Sequence, residues 1–205
     1  MNMRYYKLVN NELQQAPTNL TIDGIDVMYP TEEQYLSQGW KPLLIAERPI
    51  ANKYYRIFPF YSETETNIIQ EWENRIVEPI DKLKTMKLID LKSYDKSNEV
   101  NSFSINGMNM WLAKNDRAAL MYSIESEEAM GLTMTSIYTS SIPSNILEMP
   151  TTTAKLFLQA LEVYAKQAYG VTQEHQNTIV GLTASEDVVE YQFNTGYPDK
   201  VAFVL

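Results

Sequence analysis

The stretch from residue 151 to residue 191 constrains the fold more than any other part of the chain, because its apolar residues recur with the period of a helix. Phe157, Leu161, Tyr164 and Ala168 follow one another at spacings of four, three and four residues. Side chains at these spacings lie on one helical face and form a stripe that can pack against an interior. The pattern predicts a helix over residues 152–169.

Three further signals divide this stretch into separate helices. Gly170 stands where a helix can end in the left-handed conformation at no steric cost. Thr172 fits the N-cap of a second helix that reaches Gly181, and Thr183 with Glu186 fits a capping box that begins a third helix. We therefore expect a C-terminal cluster of three short helices, over residues 152–169, 173–181 and 184–191.

Two dipeptides predict β-hairpins. Asp23-Gly24 and Asn106-Gly107 each lie between two runs of β-prone residues. Both dipeptides suit the two positive-φ positions of a type I′ turn. Thr31 with Gln34 fits a further capping box, so we also expect a short helix that ends at Gly39.

The N-terminal part of the chain is rich in β-prone residues. Pro42 would place its strand at the edge of a sheet or near a bend. Residues 67–77 fit a helical stripe through Ile69, Trp72 and Ile76. We prefer a strand here, which would pair with the aromatic run at residues 54–61. Strands are predicted in this part at residues 4–9, 40–46, 54–61 and 67–73.

The remaining elements complete an α+β reading with two modules. The prediction is a β-rich N-terminal module over residues 1–74, followed by an α+β domain over residues 75–205. Few glycines or serines occur at residues 75–79, which predicts a short and fairly stiff connection. In the second module we expect helices at residues 78–91 and 115–130, a polar turn at residues 94–98, a hairpin at residues 102–112, strands at residues 132–138 and 145–149 around residues 140–144, and an extended segment at residues 201–205.

The composition excludes several classes of protein. Cysteine is absent from the 205 residues, which rules out disulfides, thiolate metal sites and cysteine nucleophiles. The formal net charge is −9 and no basic run occurs, which argues against a nucleic-acid partner. No apolar run approaches the roughly 20 residues of a membrane-spanning helix. Residues 1–9 lack the apolar core of a signal peptide, so we expect neither membrane association nor export by a secretory signal.

The polar residues form no recognisable catalytic pattern. His175 is the only histidine, and a half-packed or solvated side chain in the first turn of a helix is preferred over a general base or metal ligand. Glu125, Glu127 and Glu128 scatter around a helix, which favours a solvated face over a cation site or a glycosidase pair. Residues 95–99 lack the glycine and the distant glutamate of a calcium loop and predict a turn. We expect no catalytic residue, no metal and no cofactor.

One aromatic run is the candidate partner surface. Tyr54, Tyr55, Phe58 and Phe60 belong to a predicted strand in which both faces carry apolar side chains. One face could meet another chain, because aromatic residues are enriched at interfaces. The alternative is a strand buried on both faces, and the sequence leaves the two open.

Two parts of the chain carry motifs of known sequences. The first part includes Tyr5-Tyr6-Lys7-Leu8, Ala16-Pro17, Pro30-Thr31-Glu32-Glu33 and Gly39. The second includes Tyr94-Asp95, Val100-Asn101-Ser102-Phe103, Trp111-Leu112, Ala160-Leu161-Glu162-Val163-Tyr164-Ala165, Leu182-Thr183 and Gly196-Tyr197-Pro198-Asp199-Lys200. Both parts resemble phage and prophage proteins of gut Bacteroidales, and the first is similar to a short module that opens many of them. The second is similar to an uncharacterised domain family of phage tail-module proteins, some of them tail-fibre assembly proteins, over about half of the chain and in the same order and spacing.

The resemblance implies a non-enzymatic protein of a bacteriophage tail or baseplate. Such a protein is either part of the virion or a factor that helps a tail fibre fold and attach, and it would be found in the virion or in the host cytoplasm during assembly. Its expected partners are other tail or fibre proteins, with a homo-oligomer as a further expectation. A receptor- or glycan-binding module is the alternative, and a cell-wall hydrolase with a carboxylate pair is a third reading.

Overall fold

The computed structural model describes residues 4–138 and 144–204. The chain divides into two compact units, Met1–Glu78 and Pro79–Leu205, and the division lies close to the predicted boundary at residue 74. Both helices and several small sheets are present, which confirms the α+β class. The two units are described separately below as the first and the second unit.

The first unit is built on a five-stranded sheet. Its strand order is β2-β1-β5-β7-β6, and β5 runs parallel to β7 whereas the other neighbours are antiparallel. A separate hairpin, β3–β4, and one short helix complete the unit. The elements are β1 (Tyr5–Val9), β2 (Glu12–Gln15), β3 (Asn19–Ile22), β4 (Ile25–Met28), α1 (Glu32–Ser37), β5 (Lys41–Ile45), β6 (Arg56–Glu63) and β7 (Ile68–Arg75).

Most local predictions for the first unit are confirmed. Asp23 and Gly24 turn the β3–β4 hairpin with φ values of 51° and 78°. Thr31 and Gln34 form the capping box of α1, with both hydrogen bonds present. The segment that could have been strand or helix is β7, which pairs with β6 along its whole length. A long antiparallel partner therefore decides between two patterns that its own sequence left open.

The predicted edge position of Pro42 is wrong. Strand β5 lies inside the sheet, between β1 and β7. Its pairing with β1 covers Lys41 and Pro42 alone, and its pairing with β7 begins at Leu43. The strand thus changes its hydrogen-bonded neighbour at the residue that lacks an N–H group, so the proline interrupts neither ladder in its middle.

The second unit places helices around three short sheet ladders. Two are antiparallel pairs, β8–β9 and β10–β11, and β12 extends the first of them as a parallel third strand. Asn106 and Gly107 turn the β8–β9 hairpin as predicted, with φ values of 49° and 77°. The elements are α2 (Ile80–Asp95), α3 (Asn98–Asn101), β8 (Ser102–Ile105), β9 (Met108–Trp111), α4 (Lys114–Ala129), β10 (Met134–Tyr138), β11 (Ile146–Pro150), α5 (Thr151–Gly181), α6 (Ser185–Glu190) and β12 (Ala202–Phe203).

The predicted cluster of three C-terminal helices is wrong. Residues 151–181 form one helix, α5, and only α6 follows it. Gly170 lies inside α5 without a positive φ, so it does not cap the helix. The buried stripe of α5 continues past it through Thr172 to Ile179, and the hydroxyl of Thr172 bonds to the carbonyl of Ala168 instead of capping a new helix. Tertiary burial therefore overrides two local stop signals.

Three other predicted helix boundaries differ from the structure. Helix α4 begins at Lys114 after the N-cap Ala113, one residue before the predicted start. Helix α6 has the N-cap Ala184 and no side-chain cap, so the predicted capping box is absent there. Helix α2 extends to Asp95, into the predicted polar turn. The predicted connection at residues 140–144 lies, apart from Ser144, outside the described residues, as does Leu205 of the predicted final segment.

The core of the second unit lies where α4 and α5 meet the two sheets. Leu158 and Leu161 of α5 contribute to it, together with Ile124 of α4 and strand residues such as Ile105 and Met149. Each of these side chains is at most 5% exposed. Burying a side chain of this size stabilises the fold by about 1.5–3 kcal/mol, so this cluster is the main favourable term of the unit.

Candidate functional site

The predicted partner residues are not gathered into one exposed surface. Tyr54 precedes β6 and is 8% exposed, and Tyr55 and Phe58 are half-buried. Phe58 also lies beneath the guanidinium group of Arg75, at 5.3 Å from the ring centre. Phe60 is 37% exposed and is the one of the four that reaches the surface. The expected partner surface therefore depends on Phe60, while Tyr54 belongs to the interior.

Larger apolar exposure occurs elsewhere in the first unit. Leu44 and Ile45 of β5 are 51% and 64% exposed, and Ile25 and Met28 of the β3–β4 hairpin are 67% and 72% exposed. Ile50 is 97% exposed. These exposed side chains, together with Phe60, are candidates for contact with another molecule.

His175 is held by two hydrogen bonds. Its Nδ1 lies 2.7 Å from the hydroxyl of Tyr191, and its Nε2 lies 2.9 Å from the carbonyl oxygen of Thr195. A carbonyl can only accept, so Nε2 carries a proton and donates it to Thr195, while Nδ1 shares a second hydrogen bond with the Tyr191 hydroxyl. The residue lies inside α5 and not in a first turn, and it anchors the segment that follows α6.

A second set of polar contacts adjoins this histidine. The hydroxyl of Thr172 donates to Asp95 Oδ1 at 2.7 Å and lies 2.9 Å from the hydroxyl of Tyr197. The ring of Tyr197 lies 5.8 Å from that of His175. Burial raises the pKa of the Tyr197 hydroxyl, which keeps it protonated as a donor. We call Asp95, Thr172, His175, Tyr191 and Tyr197 the C-terminal polar network.

Lys87 ties the same region to α2. Its side chain is buried, and its ammonium group donates to the carbonyls of Val189 at 2.7 Å and Tyr191 at 3.2 Å. No local sequence pattern marks Lys87 for this role. The structure uses it, with the C-terminal polar network, to hold residues 189–197 against α2 and α5. These polar side chains thus fix the backbone.

The acidic residues of α4 form no cluster of cation ligands. Glu128 pairs with Lys155 at 2.8 Å, and Glu125 is exposed. In the parts of the chain that the structure describes, no group of three or more histidine, aspartate or glutamate side chains could hold a metal ion. Asp95 of the suspected calcium loop ends α2, and Ser97 caps α3, so that segment is a helix junction.

A cleft of about 770 Å³ lies between the end of α2, strand β9, the start of α4 and the middle of α5. Its floor is apolar and includes the buried residues Val100, Tyr164 and Ala168. Trp111 and Tyr169, which are 39% and 58% exposed, stand on its sides. We call it the basic cleft because most charged side chains in its lining are cationic.

Cationic side chains dominate the lining of the basic cleft. Lys96, Lys114 and Lys166 are exposed around it, and within residues 4–138 and 144–204 none of them forms an ion pair. Its two carboxylates are engaged, since Glu162 accepts from Arg117 at 2.6 Å and Asp95 accepts from Thr172. With Arg117 included, four cations face two anions, a local surplus of positive charge in a chain of net charge −9.

A second cleft, of about 710 Å³, lies over the outer face of the β12-β8-β9 sheet. Cross-strand pairing places Ser102 opposite Trp111 and Ser104 opposite Asn109. The adjacent positions on these strands, Phe103 and Met110, face the core. We call this outer surface the polar sheet face; it combines hydroxyl and amide groups with one indole ring.

Neither cleft was predicted from the sequence. The lysines of the basic cleft stand at positions 96, 114 and 166, and only the folding of α5 beside α2 and β9 brings them to one rim. Trp111 alone carried a local signal, as a large aromatic residue at the end of a predicted hairpin. No run of basic residues marks the site along the chain.

The comparisons with known proteins give no relative. No family model matches the chain, and neither the curated proteins nor the solved structures include a match. Among the described helices, none combines the length and apolar character that crossing a bilayer requires.

Proposed function

We propose that the protein is a non-catalytic component of a bacteriophage tail or baseplate module. It acts through protein–protein contacts, either as a structural protein of the virion or as a factor that helps a tail fibre assemble and attach. The sequence resemblance of residues 5–39 and 94–200 supports this proposal. Its partners are other tail or fibre proteins.

The observation that carries the proposal is the apolar surface of the first unit. Leu44 and Ile45 lie more than half exposed in the part of β5 that pairs with β7 and not with β1, so apolar area is left exposed there. Ile25 and Met28 are still more exposed on a hairpin that pairs with no further strand in the described residues. A two-stranded hairpin is marginally stable alone, so a partner that covers it would gain apolar area and stabilise it.

The polar groups of the second unit support a structural role as well. His175, the one imidazole, has both ring nitrogens in hydrogen bonds to Tyr191 and Thr195. Lys87 is committed to backbone carbonyls, and Arg117 to Glu162 and the carbonyl of Leu112. These three side chains are thus occupied in contacts within the unit.

Virion composition tests the proposal. Mass spectrometry of purified phage particles should find the chain at a fixed ratio to a tail protein if it is structural. If it is an assembly factor, it should be absent from particles and co-purify with a fibre protein. A chain that does neither would contradict both versions.

A matched pair of variants links that test to the apolar surface. Leu44→Asp with Ile45→Asp should abolish incorporation or co-purification, because charges replace the surface to be covered. Leu156→Asp with Val163→Asp changes two equally exposed residues of the second unit and should leave it unchanged. Equal behaviour of the two variants would remove the first unit from the interface.

A glycan-binding module is the second candidate, and the polar sheet face favours it. Sugar rings stack on indole rings while hydroxyl and amide groups bind their hydroxyls, and Trp111 stands there with Ser102, Ser104 and Asn109. Binding on a glycan array that is lost in Trp111→Ala, but kept in Tyr122→Ala, would support this function. Tyr122 is 73% exposed and does not line this cleft. An array without signal would count against it.

A further inference from the structure

The two ends of α4 carry opposite charge. Its first residues, Lys114 and Asn115, line the basic cleft. Its last turns carry Glu125, Glu127 and Glu128, of which Glu128 is paired with Lys155. Helix α4 is about 24 Å long, and Lys114 and Glu125 lie about 17 Å apart along it. The two ends are therefore distinct surfaces of one rigid element.

The acidic end of α4 is also apolar. Tyr122 and Met130 are 73% and 71% exposed, and Leu132, just beyond the helix, is 50% exposed. Tyr122 and Glu125 are three positions apart, so an aromatic ring and a carboxylate share one helical face. We call this surface, from Tyr122 to Leu132, the acidic end.

The basic cleft complements the acidic end in both respects. It has an apolar floor for an inserted side chain and two exposed aromatic walls, Trp111 and Tyr169. Its lysines have no ion-pair partner among the described residues, whereas the acidic end presents the exposed Glu125, with Glu128 paired to Lys155 and Oε2 of Glu127 buried. Complementary potentials steer two surfaces together and reject like-charged partners.

We propose that the basic cleft receives the acidic end of α4 from a second copy of this chain. Cleft and acidic end are different surfaces, so the contact is head-to-tail and repeats from copy to copy along the direction of α4. Contacts of this type produce rings when the rotation closes and filaments when it does not. The proposal concerns the second unit alone and does not depend on the tail assignment.

Sedimentation velocity or native mass spectrometry of the full chain tests the contact. The mean mass should rise reversibly with protein concentration and fall with added salt, because salt screens exposed charges. Lys114→Glu with Lys166→Glu makes the cleft acidic, and Glu125→Lys with Met130→Lys makes the acidic end basic. Each double variant should weaken self-association by about tenfold or more, since each contact then opposes like charges.

Mixing the two double variants is the decisive step. The acidic cleft of one then meets the basic end of the other, so mixed oligomers should form although neither variant associates alone. Arg48→Glu with Lys53→Glu changes the net charge by as much as the cleft variant, at two exposed positions of the first unit, and should associate like the unmodified chain. Circular dichroism verifies that every variant is folded. If a double variant is not folded, Lys166→Gln replaces it for the cleft and Glu125→Gln for the acidic end. Each of these single changes should weaken self-association roughly threefold.

Three results would overturn the proposal. The first is an unmodified chain that stays monomeric up to its solubility limit. The second is association that the reversed cleft leaves unchanged, and the third is a mixture of folded reversed variants that remains monomeric. A monomeric chain that binds a fluorescein-labelled oligoglutamate peptide at the cleft would assign it to an acidic segment of another protein instead of a second copy.

Discussion

The described part of the first unit buries Tyr5, Leu20, Tyr54 and Ile68, whereas the second unit buries a continuous cluster from four strands and two helices. Both units have a sheet whose residues alternate between two faces. In the second unit, the first part of α5 packs against the strands through Ala154, Leu158 and Leu161. In the first unit, α1 is a six-residue helix, and Leu44 and Ile45 stay exposed.

The two units thus differ in how completely their own elements bury their apolar side chains. A long helix supplies apolar area to several strands at once, while a short helix supplies it to a few residues only. Tyr35 of α1, for example, stacks on Tyr5 at 4.8 Å, at the end of the sheet opposite to β6. Other apolar residues of the first unit, such as Ile25 and Met28, stay exposed.

The largest expected effect tests this comparison directly. Leu158→Ala in the second unit should lower the free energy of unfolding by about 2–5 kcal/mol, because it leaves a cavity in the core. Leu44→Ala in the first unit should change it by less than about 0.5 kcal/mol, because that side chain is half exposed in the isolated chain. Urea unfolding followed by circular dichroism measures both. Equal losses would contradict the contrast between the two units.

A pair of lysines sharpens the comparison at a smaller scale. Lys87→Met should cost about 1–3 kcal/mol, because the buried carbonyls of Val189 and Tyr191 lose their donor. Lys41 of the first unit also donates to a carbonyl, that of Thr64, and pairs with Glu63 at the surface. Lys41→Met should therefore cost less than about 1 kcal/mol. The same unfolding experiment measures both losses of stability. A larger loss for Lys41→Met than for Lys87→Met would contradict the structural role given to Lys87.

How far the sequence predicts this fold depends on how far apart the deciding residues lie. Asp23-Gly24 and the Thr31–Gln34 box act within a few residues, and both were predicted correctly. Gly170 has the same local signature as a cap, but the packing of α5 against α2 holds it helical. The basic cleft needs Lys96, Lys114 and Lys166 together, so no local pattern could reveal it.

Buried tyrosine hydroxyls predict a pH dependence. Burial raises the pKa of Tyr164, whose hydroxyl donates to the carbonyl of Val100 at 2.7 Å. Above the ordinary pKa of 10.0 the unfolded chain loses this proton while the folded chain keeps it, so stability falls as the pH rises. Tyr164→Phe should cost about 1 kcal/mol at neutral pH and flatten the alkaline decline. Unfolding midpoints between neutral and alkaline pH measure both, and an unchanged slope would place this hydroxyl in solvent.

The smallest effect comes from one substitution made in both units. Gly170→Ala should raise the free energy of unfolding by about 0.5–1 kcal/mol, because alanine is the better helix former and an added Cβ meets nothing within 4 Å. Gly24→Ala also adds its Cβ in open space, but φ there is +78°, so the alanine is strained and the change should be destabilising. Because neither added Cβ meets another atom within 4 Å, the opposite signs of the two stability changes would come from backbone conformation and not from packing. A destabilising Gly170→Ala would mean that residue 170 ends a helix after all, and α5 would be two helices.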